Sequence, residues 1–180
     1  MACRFAQRAV LKAWIVVLTA CAISAPVLSD ELDLDAVAGV YRKNFPSGLV
    51  SGEKYRAENI LEIVKVSPTS AYFRTRLEFF NGHSCMIWGV ADVEGTALVY
   101  HGRPNAEGKP CVLSLKFTRG RVAFEDKDAA CRLGTCGMRG GYDGQAFDLR
   151  TRRPIRYMRR VLKSWQYREA IKNLEAPRTN

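Results

Sequence analysis

Cysteine and histidine are the residues of this chain that could carry covalent chemistry, and their spacing decides which kind. His83 lies two residues before Cys85, and His101 closes the next apolar stretch. A hairpin could bring either imidazole to the Cys85 thiol, the arrangement of a Cys-His nucleophile. The competing use of the same sulfur is a disulfide, and a bonded sulfur attacks nothing. Of the 6 cysteines, Cys85, Cys111, Cys131 and Cys136 fall in the body of the chain. An even set of this kind reads as two disulfides if the chain matures in an oxidising compartment. Cys131 and Cys136 are separated by four residues. That is neither a CxxC redox pair nor part of a zinc ligand set.

The remaining chemistry-bearing types form no constellation. Glu53, Glu58, Glu62 and Glu78 are spread along strand-like segments beside cations, as on solvated faces, and no two of them form an acid/base couple. Gly137, Gly140, Gly141 and Gly144 do not follow a strand and open a helix, so they make no phosphate cradle. No cofactor signature and no metal ligand set emerges. The expectation is a binding protein and not an enzyme, with a hydrolase or thiol enzyme as the remaining alternative.

What must position these residues begins with composition. The chain has 180 residues, 47% apolar and 26% charged, enough for one buried core and unlike a disordered chain. Arg4, Arg8 and Lys12 precede an apolar stretch from Ala13 to Ile23 that is too short to span a bilayer, the pattern of a secretory signal. Residues 1–29 are expected to be removed by a cut after Ser29. Leu18-Thr19-Ala20-Cys21 competes with that cut, because it resembles the lipobox of bacterial lipoproteins, in which Cys21 would be acylated. The chain is therefore expected to be exported, periplasmic or secreted, or lipid-anchored at Cys21.

The formal net charge of +10 is unevenly placed. Residues 30–149 carry 15 cations and 16 anions, whereas residues 150–180 carry 10 cations against Glu169 and Glu175. A neutral body thus ends in a basic tail, which implies an acidic partner for that segment alone.

Within 30–149 period-two patterning dominates. Ala71, Phe73, Thr75, Leu77 and Phe79 alternate with Tyr72, Arg74, Arg76 and Glu78, and Cys111, Leu113, Leu115 and Phe117 alternate with Val112, Ser114, Lys116 and Thr118. Further strands are expected at Val40–Phe45, Ile60–Val66, Ser84–Asp92, Thr96–His101 and Arg121–Glu125, and a short helix at Leu32–Ala38. Turns at Asn81-Gly82, Glu94-Gly95 and Arg119-Gly120 join the later strands. The fold class is mainly β, an antiparallel meander forming a small barrel or sandwich. A two-residue turn at Asn81-Gly82 sets Leu77 opposite Met86, buries Trp88 and turns Cys85 outward. A three-residue loop Phe80-Asn81-Gly82 reverses the faces. The two-residue turn is favoured, because the next loop then becomes Val93-Glu94-Gly95 with Gly95 left-handed. Cys85 and Cys111 fall at one rim of the meander, so the favoured pairing is Cys85–Cys111 with Cys131–Cys136. Residues 126–149 read as an irregular crossing.

The tail reads as two helices, 154–163 and 165–175, with Pro154 at a first helical position and Ser164 as an N-cap. Ile155, Met158, Leu162 and Trp165 form a docking stripe at helical spacing, so the tail packs outside the barrel. Arg152, Arg153, Arg156, Arg159, Arg160 and Lys163 then lie on or near its wet side. They read either as a solvated face or as a contact for anionic envelope glycan or lipid. Nucleic acid ranks below these, because few aromatics on that face could stack bases.

Two short matches point to families. Gly39-Val40-Tyr41 is similar to the Gly-x-aromatic opening of lipocalin-like barrels. Ser51-Gly52-Glu53-Lys54-Tyr55 resembles the Ser-Gly-x-Lys/Arg-Tyr segment of bacterial C-type lysozyme inhibitors, small disulfide-containing antiparallel barrels. The resemblance implies that Ser51 and Lys54 form an inhibitor loop that engages catalytic carboxylates of a wall-active or host protein. The Phe-Trp-x-Lys-Gly continuation of those proteins is absent, and a basic tail would repel a basic lysozyme.

Overall fold

A computed structural model describes residues 31–175. The leader, both cleavage positions and Cys21 lie outside the described residues.

Eight antiparallel strands follow in chain order as a single meander: β1 (Gly39–Gly48), β2 (Lys54–Lys65), β3 (Ser70–Glu78), β4 (Ser84–Glu94), β5 (Ala97–His101), β6 (Val112–Thr118), β7 (Arg121–Asp126) and β8 (Ala146–Asp148). The sheet curls until its ends nearly meet. Val40 N–H donates to the Arg153 carbonyl at 2.8 Å and Arg153 N–H returns a bond to Val40 at 2.9 Å. The result is a nearly closed barrel, and the sandwich alternative is set aside. Residue 150 falls inside the single turn Leu149–Thr151, so the basic tail begins as part of the barrel seam and not beyond a linker.

Alternation fills the interior as its period demands. Ala71, Phe73, Thr75 and Leu77 of β3 and Leu113, Leu115 and Phe117 of β6 point inward and are buried. Leu61, Ile63, Tyr41, Leu98, Val122, Phe124 and Phe147 from the other strands complete this core. One end is stoppered by helix α1 (Leu34–Val37), which buries Leu34 and Val37 and is capped by Asp33, whose Oδ1 accepts the Asp35 N–H at 2.9 Å. The Tyr41 hydroxyl donates to the Val37 carbonyl at 2.6 Å, which ties the plug to β1.

Tyr72 and Val64 face outward yet are buried, because the tail covers them. Ile155 and helices α2 (Met158–Leu162) and α3 (Trp165–Glu175) pack against this face, burying Ile155, Val161 and Ala170, with Met158, Tyr157 and Tyr167 at its margin. Tyr72 and Tyr167 meet edge to face at 5.0 Å. Ser164 caps α3 as expected, its Oγ accepting the Tyr167 N–H at 3.2 Å. The docking stripe differs at two positions: Val161 goes inward while Leu162 and Trp165 stay exposed, because the chain bends at Ser164 before a longer helix can form, and the first helix begins at Met158 and not at Pro154.

Two further expectations are corrected. The β3–β4 connection is the three-residue loop Phe80-Asn81-Gly82, and Leu77 pairs with Cys85. Asn81 and Gly82 are both left-handed, at φ 61° and 69°. Cys85, Ile87, Gly89 and Ala91 therefore face the barrel interior, while Met86, Trp88 and Val90 face outward. The small inward residues suit a crowded interior, and the larger outward ones serve the face that α3 covers. The next loop then contains Gly95 and Thr96, since Glu94 pairs with Ala97.

The four body cysteines do form two disulfides, but they are Cys85–Cys136 and Cys111–Cys131. The physical reason is the path of residues 127–145, which fold back over the open barrel end and bring each of their cysteines to a strand cysteine. The turn after Cys131, in which Cys136 N–H bonds to the Arg132 carbonyl at 3.0 Å, sends Cys131 and Cys136 to different strands. Two such bridges belong to an oxidising environment.

A cleft where β4 and β5 part

β4 runs for eleven residues and β5 for five, so the hairpin has unequal arms. Their ladder covers only Asp92–Val99, Val93–Leu98 and Glu94–Ala97. Beyond Asp92 the strands diverge, and β5 is halted by Gly102-Arg103-Pro104, where proline has no N–H to offer a ladder. The far end of the β4 edge is taken by the folded-back loop. Met86 N–H donates to the Thr135 carbonyl at 2.9 Å, and Gly137 N–H donates to the Ser84 carbonyl at 2.8 Å. By strand alternation the backbone groups of Trp88 and Val90 point the same way, into the gap.

That gap is a cleft of about 770 Å³. Its floor is Trp88, Gly89 and Val90, its walls are the 102–105 loop and the segment Ala130–Thr135, and its outer side is α3 through Glu169, Ala170, Asn173 and Leu174. The loop wall is held by Asn105, whose side chain donates to the Ala130 carbonyl at 3.2 Å and accepts the N–H groups of Glu107 and Lys109. Trp88 stands edge to face with Trp165 at 4.8 Å, linking the floor to the start of α3.

Tyr100 closes the inner side. Its ring lies 5.3 Å from that of Phe73 and occupies the space above Gly89. Burial pushes the phenol up from its ordinary range, while Arg103 opposes the shift and Glu169 adds to it. Tyr100 is thus a neutral hydrogen-bonding group near pH 7. The cleft combines aromatic and aliphatic surface with Arg103, Glu169, Asp92 and His101 and with a strand edge. Such a lining can hold a ligand that has an apolar body and its own polar backbone.

No protein-family model, curated protein or solved structure matches the chain. The site is therefore read from its own geometry. Cys85 is bonded to Cys136 and offers no thiol to a Cys-His nucleophile. His83 packs beside Gly137, while His101 lies 3.6 Å from Glu94 on the exposed side of β5. Ser51 and Lys54 are exposed at the β1–β2 tip, where Val50 N–H reaches Asn81 Oδ1 at 3.3 Å, and neither lines the cleft.

The six tail cations separate into two kinds. The Arg152 Nη2 donates to the Asp35 carbonyl at 3.1 Å, and the Arg153 Nη1 donates to the carbonyls of Arg150 and Arg152, so both serve the seam. Arg156, Arg159, Arg160 and Lys163 are exposed, Arg160 lying 5.0 Å over the Tyr157 ring. Beneath them Glu62 is buried and paired with Arg74 at 2.5 Å.

A second interruption of the sheet lies between β1 and β8, lined by Arg42, Lys43, Arg121 and Asp148. Arg42 is engaged by Glu58, and Asp148 by Arg150, each at 2.6 Å.

The cleft itself escapes pattern reading, which scores each strand alone. The usable signal was the pairing of a long strand with one cut short by Gly102 and Pro104.

Proposed function

We propose that this chain is a non-catalytic binding protein, exported to the periplasm or the extracellular space, that takes an extended peptide segment of a partner protein into the β4–β5 cleft. The observation that carries the reading is the β4 edge. It is occupied by Thr135 and Gly137 at one end and by β5 at the other, and between them Trp88 and Val90 direct backbone groups into an apolar cleft. Pairing with a strand edge supplies main-chain hydrogen bonds, and neighbouring pockets supply side-chain selectivity. The two disulfides support the compartment, since small folded domains use them outside the cytosol.

The exposure of Ser51 and Lys54 at the β1–β2 tip supports a second reading, an inhibitor-like contact with a wall-active or host protein through that loop. One experiment separates the two. Random seven-residue peptides displayed on phage are selected against the oxidised protein, and the winners are tested by amide hydrogen exchange. Peptides that slow exchange at Trp88 and Val90, and lose binding with Arg103→Ala, support the cleft. Peptides that protect residues 49–54, or failure to select any peptide, overturn it.

A further inference from the structure

The elbow between α2 and α3 has a surface that the cleft does not use. Val161 is fully buried, but Leu162 and Trp165 on either side of the bend are 40% and 56% exposed. The bend is fixed by Ser164, whose Oγ donates to the Val161 carbonyl at 2.6 Å and accepts from Tyr167 N–H. Trp165 is held upright by its edge-to-face contact with Trp88. Along the chain this apolar pair is flanked by exposed Arg156, Arg159, Arg160, Lys163 and Arg168, and no acidic residue occurs between Asp148 and Glu169.

A face that served solubility alone would gain nothing from a leucine and a tryptophan at the centre of its cations. A tryptophan and a leucine among long cationic side chains match the headgroup layer of an anionic bilayer, where apolar groups enter the acyl boundary and cations meet phosphates. A soluble polyanion would use the charges and leave the apolar pair in water. Among the described residues no helix is long and apolar enough to cross a membrane.

We propose that the α2–α3 elbow docks the protein on an anionic lipid surface, with Leu162 and Trp165 inserted and Arg156, Arg159, Arg160, Lys163 and Arg168 on lipid phosphates. The proposal does not rest on the peptide reading of the cleft, although Trp165 also touches Trp88 of its floor.

The test is sedimentation of the oxidised full chain with vesicles of phosphatidylcholine alone or with one third phosphatidylglycerol, every variant carrying the same leader. Binding is expected only to the anionic vesicles and weakens with salt. Arg156→Gln, Arg159→Gln and Arg160→Gln together lower it about a hundredfold, at about fivefold per cation. Leu162→Ser with Trp165→Ser lowers sedimentation with the anionic vesicles and leaves the melting temperature within a few degrees. Equal binding by the wild type and the triple variant overturns the proposal. So does retention on immobilised heparin together with vesicle binding that is indifferent to the loss of Leu162 and Trp165.

Discussion

The ring of Tyr100 occupies the space that any side chain on Gly89 would need, for a Cβ built on Gly89 would lie 2.1 Å from it. Gly102 stands on the other side, its own Cβ position 2.7 Å from the same ring. Tyr100 therefore lies between two glycines where the barrel wall parts. Gly89→Ala must move the ring or the strand, and overpacking of this kind costs about 1–3 kcal/mol. A lowered urea midpoint is expected, with most of the loss recovered in Gly89→Ala/Tyr100→Ala relative to Tyr100→Ala alone. Additive losses would place the ring elsewhere.

The disulfides differ in the loops they close, 51 residues for Cys85–Cys136 and 20 for Cys111–Cys131. Chain-entropy arithmetic assigns them about 4 and about 3 kcal/mol. Replacing each pair by serine should lower stability in that order. Loss of the Cys85–Cys136 bridge should also speed amide exchange at Met86, whose N–H is held by Thr135. Non-reducing peptide maps check the pairing directly, and a Cys131–Cys136 fragment would contradict it.

The strands were legible because alternation is local: the inward set of β3 and that of β6 can be read from nine and seven residues. The facing of β4 was not, because the loops Asn81-Gly82 and Phe80-Asn81-Gly82 both satisfy turn chemistry. The choice rests on Tyr100 needing an inward Gly89, a contact eleven residues away that no single-strand pattern contains. The disulfides failed for the same reason, since their pairing depends on how residues 127–145 cross the barrel end. In the tail, helical spacing located the second helix, but the first is only Met158–Leu162 and not 154–163, and the inward role of Val161 follows from the Ser164 bend. The cleft needed the lengths of two strands compared with each other.

Glu62 lies buried under the tail with Arg74 as its counter-charge. Glu62→Gln leaves the Arg74 guanidinium without its anion in a half-covered site. Breaking a fully buried pair costs about 3–5 kcal/mol, and the partial exposure of Arg74 brings the expected loss down to about 2 kcal/mol. Glu62→Gln/Arg74→Met should be closer to wild type than the single variant, because an unpaired charge is worse than none. A double variant less stable than the single one would show that the pair contributes more than the charge it neutralises.

Burial pushes Tyr41 and Tyr72 up to about 12 from an ordinary value near 10. Their folded-state values exceed the unfolded ones, so the stability they confer is complete below pH 10 and is lost as pH rises through 12. Between these limits the unfolded chain ionises phenols that the native barrel keeps neutral. Urea midpoints should therefore hold from pH 7 to 9 and fall steeply above 10. Tyr41→Phe removes one of these groups together with the hydroxyl bond to Val37, so it should start about 1 kcal/mol lower at pH 7 and decline less steeply in alkali. Parallel declines in the two proteins would mean that Tyr41 ionises as freely in the barrel as in the unfolded chain, and that its burial does not resist charge.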